Sequence, residues 1–161
     1  GTGVLFNNRA GRGFSLQPGH PNELAPGKRT MHTLNCYLAT RDGQPVIIGG
    51  SPGGDHQPQC GLQILTNLLD FGMDPQAAVE APRWWSFPGT DPATLDREME
   101  LRVEADMPEA TVRGLEALGH RVVRRQPGVY DGKVQLIIRD PQRGVLMGAS
   151  DARGDGLAAS L

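Results

Sequence analysis

The chain has 161 residues, 38% of them hydrophobic and 21% charged, with a formal net charge of −2. That length suffices for one core that buries roughly 70% of the unfolded surface. A pI near 6.1 gives no electrostatic footprint for nucleic acid. The longest apolar runs, Val46-Ile47-Ile48 and Leu136-Ile137-Ile138, are strand-sized, so no membrane partner is expected either.

In chain order, Gly3 to Asn7 reads as a short strand and Asn8 to Pro26 as a long loop of Gly, Pro and Asn, a length that usually signals function or disorder. Leu34 to Thr40 and Pro45 to Gly49 are β-favouring runs joined by Arg41-Asp42-Gly43-Gln44, and Asp-Gly between such runs predicts a hairpin. A glycine-dense turn, Gly49 to Asp55, follows directly. Leu62, Leu65 and Leu69, with Ile64, Leu68 and Phe71 offset, recur at helical spacing and predict a mostly buried helix ended by Gly72 as its C′ residue. Asp74-Pro75 then predicts an N-cap and first helical position, with a short helix to about Ala81.

Arg83 to Phe87 and Glu100 to Glu104 read as strands flanking a polar surface insertion, Pro88 to Glu98. Asp106-Met107-Pro108-Glu109 has the character of a capping box, with Asp106 as N-cap of a helix that runs through Val112, Leu115 and Leu118 to Gly119. His120–Arg125, Val134–Arg139 and Val145–Ala149 complete the strands, with a turn at Asp140 to Gly144. Five to seven strands and three helices, without repeated βα alternation, predict an α+β fold: an antiparallel sheet with helices packed on it.

Cys36 and Cys60 show no CxxC spacing and no nearby His pair, so free thiols are expected; whether they pair with each other is not legible. His20, His56 and His120 have no metal-ligand spacing with a carboxylate or thiol, so no metal and no cofactor are expected. Trp84-Trp85 can line a pocket or pack, and packing is the commoner use of an aromatic pair on a strand. Arg153-Gly154-Asp155 spells an adhesion tripeptide, which recurs by chance.

The chemistry concentrates in Ser51-Pro52-Gly53-Gly54. Two glycines between a strand and a helix let backbone N–H groups converge with no Cβ in the way, and convergent donors suit the negative oxygen of a tetrahedral intermediate. The phosphate-loop pattern G-x-x-x-x-G-K-[ST] is absent, so nucleotide binding is not indicated.

Six segments occur in order: GTGVLFNN, FSLQPGHPNELAPGKR, RDGQPVIIGGSPGG, LQILTNLLDFGMDPQAAVEAPR, LRVEADMPEATVRGLEALGH and GVLMGASDARGDGLAAS. This order resembles the small subunit of the γ-glutamyltransferase family, over nearly the whole chain. The resemblance implies an N-terminal-nucleophile hydrolase fold, a four-layer αββα sandwich made by self-cleavage of a precursor. Residues 1–161 then form a single-domain fragment, the C-terminal part of a small subunit, completed by an upstream segment and a large subunit from the same precursor. The opening Gly1-Thr2-Gly3 has no Met and no signal peptide, which agrees with derivation from a longer precursor. The compartment is not legible, a cytoplasmic one being slightly favoured over a periplasmic or secreted one.

In the family a small-subunit N-terminal Thr attacks an amide or γ-glutamyl bond, with its own α-amino group as base. The resemblance places that Thr upstream of this chain; Thr2 matches an internal strand and is read as structural. Gly53 and Gly54 match the family's oxyanion-hole pair, and Ser51 and Pro52 share their turn as substrate-binding positions. The family's substrate-carboxylate serines fall on His32 and Thr33. Thr33 keeps a hydroxyl; His32 can donate a ring N–H to an anion or simply bond to loop backbone. The family's Asn-Asn-Gln-Met-Asp-Asp stretch, which recognises the substrate α-amino group, reads Asn7-Asn8-Arg9-Ala10-Gly11-Arg12 here. Arg9 replaces the Gln and no acid remains to pair with an ammonium, so Arg9 is expected to meet a substrate carboxylate. The nearest match is a divergent bacterial branch that includes glutathione hydrolase-like, cephalosporin-acylase-like and oxamate amidohydrolase proteins. The implied protein is an amide hydrolase or acyltransferase acting on a small-molecule amide or γ-glutamyl substrate, and this fragment alone is expected to be inactive. The rivals are an amidohydrolase for an oxamate-like or glutaryl-like substrate and a non-catalytic protein that keeps the fold.

Overall fold

The computed structural model describes residues 1–5, 8–90, 94, 96–126 and 132–160, apart from the side chain of Arg12. The chain divides into two compact units, Gly1–Leu34 and Asn35–Leu161.

In the first unit the described part of the predicted first strand, Gly3 to Leu5, forms no strand; Phe6 and Asn7 lie outside the described residues. The long loop holds one helical turn not anticipated from sequence, α1 (Ala10–Gly13), followed by a bridge between Ser15 and Glu23. Local bonds shape the rest: Lys28 Nζ donates to Pro21 O at 2.7 Å and the Gly19 N–H to Glu23 Oε2 at 2.8 Å.

The second unit holds seven strands and three helices among its described residues: β1 (Cys36–Arg41), β2 (Gln44–Gly50), α2 (His56–Leu69), α3 (Pro75–Glu80), β3 (Trp84–Phe87), β4 (Glu100–Glu104), α4 (Glu109–Ala117), β5 (Val122–Arg125), β6 (Gln135–Asp140) and β7 (Val145–Ser150). The α+β class is as the sequence indicates, but there are two sheets. One is antiparallel throughout, in the order β1-β2-β6-β7. The other, β3-β4-β5, pairs β3 and β4 antiparallel but β4 and β5 parallel. The antiparallel expectation fails there because α4 carries the chain from β4 back to the same end before β5, the crossover that a parallel pair requires.

Asp42 (φ 52°) and Gly43 (φ 73°) close the β1–β2 hairpin in the left-handed conformations that Asp-Gly supplies. Asp74 caps α3 as expected, its Oδ1 accepting the N–H groups of Gln76 and Ala77 at 2.9 and 3.2 Å. Two boundaries differ. Asp106 is not the cap of α4, which starts at Glu109 after Pro108 with no side-chain cap. Arg124 secures that entry instead, donating to Ala105 O, Met107 O and Glu109 Oε2, each within 2.8 Å. Gly72 (φ 62°) reverses the chain two residues beyond the C-cap Asp70 rather than at C′.

Helices α2 and α3 cover one face of the four-stranded sheet, and the main core joins Ile47, Cys60, Ile64, Val79, Val134, Leu136 and Ala149. Ile64 is wholly buried there and contributes about 1.5–3 kcal/mol by area alone. A second core, Val103, Met107 and Val112, lies between α4 and the three-stranded sheet. The expected apolar stripe of α2 is only partly covered: Leu62, Leu69 and Phe71 are exposed. Leu38, Ile48 and Ile137, register neighbours across β1, β2 and β6, are exposed as well, on the sheet face opposite the core. Among the described residues no helix is long and apolar enough to cross a membrane.

Candidate active site

Strand β2 delivers the chain into Ser51-Pro52-Gly53-Gly54, and α2 leaves it at His56. Gly53 has φ 139° and Gly54 φ 56°, conformations that side-chain-bearing residues rarely adopt. Their carbonyls point into the helix, Gly53 O accepting the His56 N–H at 3.0 Å and Gly54 O the Gln57 N–H at 3.1 Å. Among the described residues neither the Gly53 nor the Gly54 N–H has a protein acceptor. A Cβ built on Gly54 would meet nothing within 4 Å. Two adjacent backbone donors without protein acceptors, one of them at an open position, suit a developing oxyanion. Pro52 and Gly54 are exposed, whereas the Ser51 hydroxyl is buried.

The turn is held from two sides. Asp55 accepts the Thr90 N–H at 2.7 Å and its hydroxyl at 2.6 Å, so the start of the polar insertion is fixed beside the glycines. The insertion's residues 91–93 and 95 lie outside the described residues. His56 packs on Trp85, ring centroids 4.9 Å apart, and Trp85 is buried, which answers the aromatic pair as packing at that position. On the other side lies Gly132, whose Cα approaches the place of a Gly53 Cβ at 3.4 Å.

Behind Gly132 is a buried ion network. The Arg83 guanidinium pairs with the Asp151 carboxylate and also donates to Val79 O at 2.8 Å and Gly132 O at 3.5 Å. Asp151 Oδ2 accepts the Val134 N–H at 3.0 Å, and Oδ1 accepts from the Arg153 backbone and side chain, each at 3.0 Å. Arg153 pairs in turn with Glu104, whose Oε2 also takes the Arg83 N–H at 2.9 Å. Among the described residues two arginines face two acids, and such pairing is how buried charge is tolerated. Burial pushes the Asp151 carboxyl up, but the hydrogen bonds from Arg83, Val134 and Arg153 outweigh it and hold the group below the usual carboxylate range. Burial likewise lowers Arg153, and the Glu104 and Asp151 carboxylates more than reverse this, leaving it above its ordinary value. Arg153 of the apparent adhesion tripeptide is thus a structural ion-pair partner.

The remaining predicted positions belong to the first unit. Arg9 is half-buried at the N-cap of α1, its carbonyl accepting the Gly13 N–H at 2.8 Å. His32 is exposed and its Nδ1 accepts the Leu34 N–H at 3.2 Å, a local bond that places the proton of the neutral ring on Nε2. Thr33 is exposed. Ser51, Pro52, Gly53 and Gly54 form one turn in the second unit, so the structure groups those four and leaves Arg9, His32 and Thr33 in the other unit.

Cys36 is exposed and Cys60 buried, and both thiols are free. Burial pushes the Cys60 thiol above its ordinary value, and burial also takes Tyr37 up to about 12. Among the described residues no group of three or more His, Cys, Asp or Glu is placed to hold a metal. Sequence reading missed Asp55, Gly132 and the ion network. The one signal for the last is Gly148-Ala149-Ser150-Asp151-Ala152-Arg153, which lies within the sixth of the ordered segments.

The family model for gamma-glutamyltranspeptidase matches residues 1–161. The chain is 41% identical to a Bacillus subtilis glutathione hydrolase-like YwrD proenzyme, covering 99% of this chain and 30% of the relative. It is 37% identical to an oxamate amidohydrolase proenzyme of Klebsiella pneumoniae, covering 98% of this chain and 29% of that one. Among solved structures it superposes on a cephalosporin acylase from Bacillus halodurans with a TM-score of 0.77 and 39% identity, over 93% of this chain and 26% of the acylase. The α+β arrangement is therefore part of the N-terminal-nucleophile hydrolase sandwich that the resemblance implied. The chain spans less than a third of the length of these proteins, a share that fits the C-terminal part of a small subunit. By its family-model match over the full length, the chain belongs to the gamma-glutamyltranspeptidase family.

Proposed function

We propose that this chain is part of an amide hydrolase or acyltransferase in which the Gly53 and Gly54 N–H groups stabilise the oxyanion of acyl transfer. The observation that carries the reading is the pair of adjacent glycine N–H groups without protein acceptors among the described residues, with open space at Gly54. In this reading the nucleophile is an N-terminal Thr supplied by a segment upstream of residue 1, and a large subunit from the same precursor completes the protein. Proenzyme relatives support the second point.

The Thr Oγ attacks the amide carbonyl carbon while the Thr α-amino group takes the hydroxyl proton. The carbonyl oxygen becomes negative and receives the two glycine N–H bonds. Collapse expels the amine, which leaves with the proton held by the α-amino group, and an ester remains on Thr. Water or a second amine then attacks that ester through the same oxyanion arrangement. Because the donors are fixed backbone groups, they need no reorganisation as the charge develops.

The test is Gly54→Ala in the full, processed protein. An Ala there must adopt φ 56° or move the donor, and loss of one oxyanion donor costs about 10²–10³ in kcat. A drop of that order with the melting temperature preserved supports the reading. Activity within a few-fold of wild type, with the fold intact, removes the turn from the mechanism.

A second reading concerns the substrate. Arg9 stands where the family has Gln, and the adjoining Ala10-Gly11 carry no acid. The name of the Klebsiella relative, an oxamate amidohydrolase, agrees with an acyl group that bears a carboxylate.

A further inference from the structure

Gly132 is the physical link between the glycine turn and the buried ion network. A Cβ on Gly132 would lie 3.1 Å from Ser51 Oγ and 3.2 Å from Pro52 O, and one on Gly53 would lie 3.4 Å from Gly132 Cα and N. The two backbones are thus in contact with no side chain between them. Gly132 is itself tied down. Arg83 Nη1 donates to its carbonyl at 3.5 Å. Two residues on, Val134 is clamped in both directions by Asp151: its N–H reaches the carboxylate at 3.0 Å, and its carbonyl accepts the Asp151 N–H at 3.0 Å. Arg83 and Asp151 are in turn paired with each other and almost wholly buried. The network is far larger than pinning one loop requires. It also gathers the Val79, Glu80 and Ala81 carbonyls at the end of α3 under Arg153.

We propose that Asp151 and Arg83 are positioning residues for the reaction: through Gly132 they fix the Pro52-Gly53-Gly54 turn at the position where its two N–H groups meet the oxyanion. The inference rests on the oxyanion role proposed above. Removing the Asp151 charge weakens the oxygen that the Arg83 guanidinium and the Val134 N–H share, so the guanidinium and residues 132–134, which lead into β6, shift together. The turn that rests on Gly132 then loses its backing. Neither residue touches the reacting atoms, so the damage falls on the transition state more than on substrate binding.

The experiment uses the full processed protein and four variants: Asp151→Asn, Gly132→Ala, their combination, and Gly54→Ala as the reference for the turn. Gly132→Ala keeps all four charges but presses a methyl against Ser51 and Pro52. Both single variants are expected to lower kcat about ten- to a hundred-fold, a loss typical of a small misplacement, with KM within about three-fold. Because they act through one contact, the double variant should lose little more than the worse single one. A merely structural network would lower the melting temperature of Asp151→Asn and leave kcat of the folded enzyme unchanged, which overturns the proposal. Multiplying kcat losses in the double variant would overturn it too. If Asp151→Asn does not fold, Gly132→Ala decides, and wild-type kcat there is equally fatal. If Gly54→Ala is harmless, the oxyanion reading has failed; if it alone is damaging, only the positioning inference has.

Discussion

Gln76 of α3 closes two hydrogen bonds on the backbone of Ser150 at the end of β7, its Nε2 donating to Ser150 O at 2.9 Å and its Oε1 accepting the Ser150 N–H at 3.2 Å. The side-chain amide replaces the missing strand neighbour of an edge position. Gln63 does the same for Trp84 of β3, at 2.8 and 3.0 Å. Helices α2 and α3 are therefore fixed to strands by amide pairs as well as by apolar packing.

Replacing Gln76 with Leu keeps the volume but leaves both Ser150 backbone groups without partners. Each part-buried group left unsatisfied costs about 1–3 kcal/mol. Gln76→Leu in the full protein is therefore expected to lower the unfolding free energy by about 2 kcal/mol or more, read from a denaturant midpoint at unchanged slope. An unchanged midpoint would show that water replaces the amide without loss.

Asp151 makes stability depend on acid. Its carboxyl lies below the usual range when folded, despite burial, because Arg83 and two backbone N–H groups bond to the charged form. The unfolded chain binds that proton more readily, so the contribution is complete above the ordinary Asp value of about 3.9 and is lost as pH falls below it towards the folded value. Melting temperatures of the full protein should fall steeply below about pH 4, and Asp151→Asn, already weaker at neutral pH, should show a shallower fall. Parallel curves for the two proteins would place the acid sensitivity elsewhere.

What the sequence disclosed and what it hid divide by range. The hairpin at Asp42-Gly43, the Asp74-Pro75 start of α3 and the glycine turn are set by residues within a few positions of each other, and all three were legible. Arg83 pairs with Asp151 at a separation of 68 residues and Arg153 with Glu104 at 49, so no local pattern announces either pair. The capping box at Asp106 looked complete, but Arg124 supplies the competing bonds from another strand. Periodicity predicts a mostly buried stripe on α2 because it reports which side chains are apolar, not what covers them. Leu62, Leu69 and Phe71 have no cover here.

That exposed surface leads to a third expectation. Leu38, Ile48 and Ile137 on the open sheet face, with Leu62 and Leu69 on α2 and Phe71 just beyond it, are all at least 47% exposed. Apolar patches on that scale drive association. Residues 1–161 produced alone should associate or precipitate, and co-expression with the rest of the precursor should relieve it. A monodisperse monomer in size-exclusion chromatography, with a cooperative melt, would show that this surface needs no cover.

The last expectation concerns substrate choice. A γ-glutamyl group presents an α-ammonium and an α-carboxylate, and a cation at position 9, where the family has Gln, favours only the second. An acyl group with a carboxylate and no amine, such as an oxamate-like or glutaryl-like amide, matches that chemistry better. A hydrogen bond to a charged group contributes about 1.5–3 kcal/mol, enough for a ten-fold or larger preference. The measurement is kcat/KM of the full processed protein for a γ-glutamyl anilide, a glutaryl anilide and oxamate, repeated with Arg9→Gln. Wild type should favour a carboxylate-only substrate, and Arg9→Gln should narrow the gap mainly by weakening that substrate, since Gln keeps a hydrogen-bond donor but loses the charge. Strong preference of the wild type for the γ-glutamyl compound would refute the Arg9 assignment. So would an unchanged ranking in Arg9→Gln, and the exposed His32, whose Nε2–H points to no local backbone partner among the described residues, would then be the next side chain to replace.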